Sequence, residues 1–174
     1  MFTTISSFNE IEIKPDETYL VICDIDGTVL HFPNCDRFCR ELLNDFYLSN
    51  GNYATDLEQM KSIYRRMRAP THTDKEGFDS MCKTLEKTNS KILFLTARGS
   101  NSYKLTKTHL KQVGILPDEF DIHYTSTLIS KGEYIKTHID LSNWKNVIFI
   151  DDFETNIRSV SDIYPQIVCY KFAV

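Results

Sequence analysis

Three unbroken apolar runs stand along the chain, and each ends in a cluster of polar residues. Tyr19–Cys23 leads into Asp24-Ile25-Asp26-Gly27-Thr28, Lys91–Leu95 into Thr96-Ala97-Arg98-Gly99, and Asn146–Ile150 into Asp151-Asp152. A continuous Val/Ile/Leu/Phe run, as opposed to an alternating one, predicts a strand covered on both faces, as in a parallel sheet. A fourth run, Gln166–Tyr170, predicts a strand closing an edge of that sheet, and Phe120–Tyr124 gives a weaker fifth. Helical patterns fill the gaps. Ser100–Val113 opens on capping residues and stops at Gly114, while Lys131–Ile139 and Glu154–Ile163 are shorter, the latter halted before Pro165. Strand then helix, repeated, predicts an α/β fold: a three-layer Rossmann-like parallel sheet with helices on both faces. Ligands in such folds sit beyond the carboxyl ends of the strands. All three polar clusters fall there, which predicts one shared site.

Residues 33–89 interrupt the rhythm. Cys35–Leu48, Thr55–Met67 and Gly77–Thr88 each read as helical, separated by Gly51 and Pro70. One of them returns the chain to the sheet, and the others predict a small helical insertion or cap after the first strand. No Ser/Gly linker or repeat divides the 174 residues, so one domain, 1–174, is expected at roughly 150 residues per domain.

Composition narrows the class. The chain is 41% hydrophobic and 25% charged, with 20 Lys and Arg against 24 Asp and Glu and a net charge of −4. That balance is ordinary for a globular protein and lacks the strongly basic character of a general nucleic-acid coat. No apolar run approaches the ~20 residues of a membrane helix, so no membrane partner is expected. Five scattered Cys, at 23, 35, 39, 82 and 169, and no basic-then-apolar leader predict a reduced, cytoplasmic protein.

The chemistry gathers at the strand ends. Asp24 and Asp26 stand two apart after a buried strand, so an extended backbone would point both side chains the same way. Gly27 then permits a sharp turn. Asp151 and Asp152 arrive from another strand. Four converging carboxylates repel by about 3 kcal/mol per close pair, taking ~5 Å and an effective dielectric of ~20. A divalent cation relieves this, and an all-oxygen donor set predicts Mg²⁺, whereas Zn²⁺ would want clustered His and Cys. Thr96 lies in a strand-to-helix turn whose amides can bind phosphate oxygens. Lys131 opens a helix, where a cation is mildly unfavourable, which predicts a nearby anion. Carboxylates, Mg²⁺, a hydroxyl and a lysine are equipment for phosphoryl transfer.

These segments resemble the four motifs of the haloacid dehalogenase-like superfamily, in its phosphatase form. Asp24-Ile25-Asp26-Gly27-Thr28-Val29 is similar to the first motif, Leu95-Thr96-Ala97-Arg98 to the second, Lys131 within Ser130–Glu133 to the third, and Ile150-Asp151-Asp152 to the fourth, in the right order. The resemblance implies a Mg²⁺-dependent phosphomonoester hydrolase working through an aspartyl-phosphate on Asp24. Asp26 would protonate the leaving oxygen and then activate water. Thr96, Ala97, Arg98 and Lys131 would bind the substrate phosphate, with a surface salt bridge as the alternative for Arg98. Mg²⁺ would be placed by Asp24, the Asp26 carbonyl, Asp151 and Asp152. Asn156 stands where some members carry another acid.

Other readings compete. The basic stretch Lys61, Arg65, Arg66 and Arg68, with a thin lid, suggests a polynucleotide-end phosphatase, although a solvated helix face is the better explanation of the stretch. A phospho-ligand binding protein without turnover would keep the same pocket. A signalling receiver domain places its lysine last, whereas Asp151 and Asp152 follow Lys131 here. Cys23 is expected to be core packing, as are Cys35 and Cys39, and the histidines form no constellation.

Overall fold

In the computed structural model, residues 2–33, 68–126 and 129–173 are described. The three apolar runs form the middle of a six-stranded sheet: β2 (Tyr19–Cys23), β5 (Lys91–Thr96) and β7 (Asn146–Asp151). The other members are β1 (Phe2–Ile5), β6 (Asp121–Tyr124) and β8 (Val168–Phe172), in the order β1-β8-β7-β2-β5-β6. Every pairing in this sheet is parallel. All five residues of β2 are buried, as a strand covered on both faces requires.

Successive residues of the central strands serve opposite faces. Val21, Cys23, Phe94, Ile148 and Ile150 join Phe78, Met81 and Leu85 of α1 (Lys75–Glu86) and Leu110 of α2 (Tyr103–Gln112) in one core. Leu20, Ile22, Leu93, Leu95, Val147 and Phe149 join Ile135 of α3 (Lys131–His138) and Ile157 and Val160 of α4 (Glu154–Ile163) in the other. The expected three-layer α/β architecture is therefore present, with two helices on each face among the described residues.

Three differences from the sequence reading have physical causes. Phe2–Ile5 was not expected as a strand; its Thr3 and Thr4 are exposed and Ile5 is buried, so no apolar run marks it. Because β1 pairs outside it, β8 is an interior strand and not the edge predicted for Gln166–Tyr170. The first strand of the sheet is accordingly β1, and the insertion follows the second. Within 33–89, Lys75–Glu86 is the crossover helix between β2 and β5. Its start lies two residues before the predicted Gly77 because Asp74 caps it, accepting from the Gly77 amide at 3.0 Å. The other Asp74 oxygen accepts from Ser7 Oγ at 2.7 Å and the Phe8 amide at 2.9 Å, fastening the N-terminal turn to α1. The helices predicted over Cys35–Leu48 and Thr55–Met67 lie outside the described residues. Before and after them, β3 (Leu30–His31) and β4 (Thr71–His72) form a separate antiparallel pair.

The chain starts at the β1 edge, enters the sheet's centre at β2, runs outward through β5 to β6, then crosses back to β7 and β8 on the other side. Strand order thus reverses between β2 and β7, the kind of crevice where open α/β sheets bind ligands.

Candidate functional site

Asp24 leaves β2 at that crevice. Its amide donates to the Ile150 carbonyl at 2.9 Å, which carries the β2–β7 pairing one residue past the strand and brings Asp24 level with Asp151. Ile25 then accepts from the amides of Val29 and Leu30 at 3.0 and 2.8 Å. Gly27, at φ 88°, makes the turn that a side chain would strain. The tight loop leaves Asp24 buried and Asp26 half-buried at its rim.

Lys131 unites the strand ends. Its ammonium donates to Asp24 Oδ1 and, at 2.7 Å, to Asp151 Oδ2, with Lys131, Asp24 and Asp151 all buried. Ser130 caps α3 by accepting from the Glu133 amide at 3.2 Å, so the lysine leaves the first turn of a defined helix. Burial opposes its charge, but Asp151 and Asp24 outweigh burial and hold the Lys131 pKa above the ordinary lysine value. Burial is also the main force on Asp24, raising its carboxyl well above the usual range. Lys131 pulls it down, while Asp151, Asp152 and Asp26 push it up. The anion anticipated from the position of Lys131 is thus a pair of carboxylates.

Asp151 is fixed on both oxygens. Oδ1 accepts from the Phe153 amide at 2.8 Å and Asn156 Nδ2 at 3.1 Å, and Oδ2 accepts from Asn156 at 3.1 Å as well as from Lys131. Asn156, noted in the sequence only as a missing acid, therefore orients an acid. Thr28 Oγ1 donates to Asp24 Oδ2 at 3.4 Å. It is the hydroxyl four residues past Asp24 in the same turn.

Asp24, Asp151 and Asp152 each offer an oxygen within 4.8 Å of the others. Three clustered carboxylates offer the hard oxygen donors that Mg²⁺ takes, so the residues present fit that ion. Charge agrees. The carboxylates of Asp24, Asp26, Asp151 and Asp152 face the cations of Lys131 and Arg98, leaving two negative charges for a divalent ion. Asp26 is absent from the trio. Its side chain is engaged elsewhere.

Arg98 has that engagement. Nε donates to Asp26 Oδ2 at 2.7 Å and Nη2 to Oδ1 at 2.6 Å, and the guanidinium is buried. The salt bridge considered for Arg98 is present, with Arg98 buried and Asp26 half-buried at the rim. Thr96 is fully buried at the end of β5, its Oγ1 accepting from the Arg98 amide at 3.2 Å, and Ala97 is half-buried beside it. The loops after β5 and β6 are laced by the Thr125 amide on the Thr96 carbonyl, 2.9 Å, and the Ser126 amide on the Arg98 carbonyl, 3.2 Å. Thr106 and His109, which surround Arg98, were not singled out as site residues. Nothing in their spacing shows which strand end they face.

Of the remaining candidates, Cys23 is buried core as expected, while Cys35, Cys39, Lys61, Arg65 and Arg66 lie outside the described residues. Arg68 is described and exposed. No described helix is long and apolar enough to cross a membrane.

No protein-family model matches the chain, nor does any curated protein. Solved structures do. A chain of the Pnkp1/Rnl/Hen1 complex aligns with 94% of this chain at 14% identity and a TM-score of 0.54, and this chain spans 50% of its length. A Thermotoga maritima protein described as a beta-phosphoglucomutase aligns over 89% of this chain and 94% of its own, at 11% identity and a TM-score of 0.52. At these identities the likeness is one of fold alone, a parallel six-stranded sheet with helices on both faces.

Proposed function

We propose that the chain is a Mg²⁺-dependent phosphomonoester hydrolase that works through an aspartyl-phosphate on Asp24. The observation that carries this reading is the buried Lys131 ammonium bonded to both Asp24 and Asp151 at the β2–β7 crevice. A nucleophile there keeps one face toward the lysine and the metal donors, and a phosphoryl oxygen can enter where the two carboxylates now share a cation. The carboxyl-terminal position of every other candidate group, and fold likeness to a protein described as a beta-phosphoglucomutase, support the same reading.

Asp24 attacks phosphorus, and the bond to the leaving oxygen breaks as Asp26 gives that oxygen a proton. Water then attacks the phosphorus of the acyl phosphate. The bond to Asp24 breaks, Asp26 takes the water proton, and inorganic phosphate leaves with both carboxyl groups restored. Lys131 and the amides around Thr96 and Ala97 hold the phosphoryl oxygens, with Arg98 a third candidate from its motif. Mg²⁺ on Asp24, Asp151 and Asp152 would neutralise charge on the transferring group. Burial of Asp24 keeps bulk water from the nucleophile during the first step.

The test is release of nitrophenol from p-nitrophenyl phosphate, with Mg²⁺ or with chelator, by wild type and Asp24→Asn. The expected result is metal-dependent turnover that drops at least about 10³-fold in the variant. Turnover that survives Asp24→Asn would remove the nucleophile assignment. A folded, Mg²⁺-binding protein without turnover would favour phospho-ligand binding. The polynucleotide-end reading rests on a basic stretch of which Arg68 alone is described, so the substrate proposed is a phosphomonoester without further commitment.

A further inference from the structure

Arg98 bonds to three side chains inside the protein. Nε and Nη2 take the two oxygens of Asp26, Nη1 donates to Thr106 Oγ1 at 3.0 Å, and Nη2 also lies 3.3 Å from His109 Nδ1. Thr106 Oγ1 gives its own proton to the Ser102 carbonyl at 3.1 Å, which leaves its lone pairs for Arg98. Burial, with Arg98 adding to it, pushes His109 down to about 4, so its ring is neutral and Nδ1 can accept. The Phe32 ring closes the remaining side, 6.0 Å from the guanidinium carbon and 5.3 Å from the His109 ring. A guanidinium fixed from this many directions has a single orientation, and so does the carboxylate bonded to both arms of its fork.

We propose that Arg98, set by Thr106 and His109 of α2, is a positioning residue for Asp26 and not a ligand of the substrate phosphate. The inference rests on the role given above to Asp26 as proton donor and acceptor. Its chemical sense lies in the distance over which a proton can be passed. A carboxyl group on a loop just before a Gly samples several rotamers, whereas proton transfer requires hydrogen-bond distance to the leaving oxygen. Holding the carboxyl from behind by a fork that is itself held keeps an oxygen aimed at the crevice through both half-reactions. Arg98 forms no bond to substrate in this account.

The two roles differ in their response to the leaving group. p-Nitrophenolate is a weak base and leaves without help, while the alkoxide of glycerol 2-phosphate needs a proton. Since kcat/KM ends at departure of the alcohol, hydrolysis of the phospho-enzyme does not enter it. We expect Arg98→Lys to lower kcat/KM for glycerol 2-phosphate by about 100-fold, with less than about tenfold lost on p-nitrophenyl phosphate. Asp26→Asn should show the same skew, and Thr106→Val a smaller one in the same direction. Should Arg98→Lys fail the circular-dichroism check of folding, Thr106→Val decides. Equal losses on both substrates with a raised KM would make Arg98 a phosphate ligand and overturn the proposal, as would no loss. A wild type inactive toward both esters overturns the functional reading itself, and this inference with it, so the two failures are told apart before any variant is made.

Discussion

Lys131 has no solvent and two carboxylates. Truncating it to Met keeps the stem but leaves Asp24 and Asp151 facing each other without a cation. Removing one partner of a buried ionic set costs about 3–5 kcal/mol, so Lys131→Met should lower the urea-unfolding free energy by that order in chelator. Mg²⁺ bound on the same acids should recover part of the loss, and a variant as stable as wild type in chelator would contradict the shared-cation account. Residues of this kind were partly legible in the sequence. A lysine on the first turn of a helix is electrostatically out of place, and that anomaly pointed to an anion. The Arg98–Asp26 bond was not legible, because its partners are 72 residues apart and only the sheet order brings the β2 and β5 ends together. Nor could the sequence say that Asn156 grips Asp151, since an amide five residues from an acid has no preferred contact until α4 begins between them.

Helix α3 carries Lys131 and packs on α4, which follows Asp151 in the chain, and a glycine decides how close the two helices come. A Cβ on Gly132 would sit 1.9 Å from the Ser159 carbonyl oxygen of α4, a backbone atom that cannot step aside. The Gly132 amide also donates to Ser159 Oγ at 3.2 Å. Gly132→Ala should therefore force the helices apart, costing about 1–3 kcal/mol by thermal unfolding, as overpacking does. It should also pull Lys131 off its carboxylates, so activity should fall more than the lost stability explains. Full activity in this variant would show that the helix pair tolerates separation. At this scale the interior strands were readable because they are apolar on both faces. β1 escaped because an edge strand of four residues with two exposed threonines carries no pattern that distinguishes it from a loop.

Across the whole molecule, the acids of the crevice give folding a stake in the metal. A cation that binds the folded Asp24–Asp151–Asp152 set and not the unfolded chain stabilises by about 2.7 kcal/mol at a hundredfold excess over its dissociation constant. Mg²⁺ should raise the unfolding midpoint of wild type in a concentration-dependent way, and much less in Asp152→Ala. An equal shift in both would place the ion elsewhere.

The partnership of β1 with β8 also sets a schedule for the nascent chain. Phe2–Ile5 leaves the ribosome well ahead of Cys169–Phe172, yet its place lies beside that segment. At about 5–20 residues per second, β1 waits on the order of ten to thirty seconds for that partner. Until then the outer edge of β7 also lies open, because β8 has yet to arrive. The sheet is therefore completed by two neighbouring ribbons, β8 and then β1, that add in succession beyond β7.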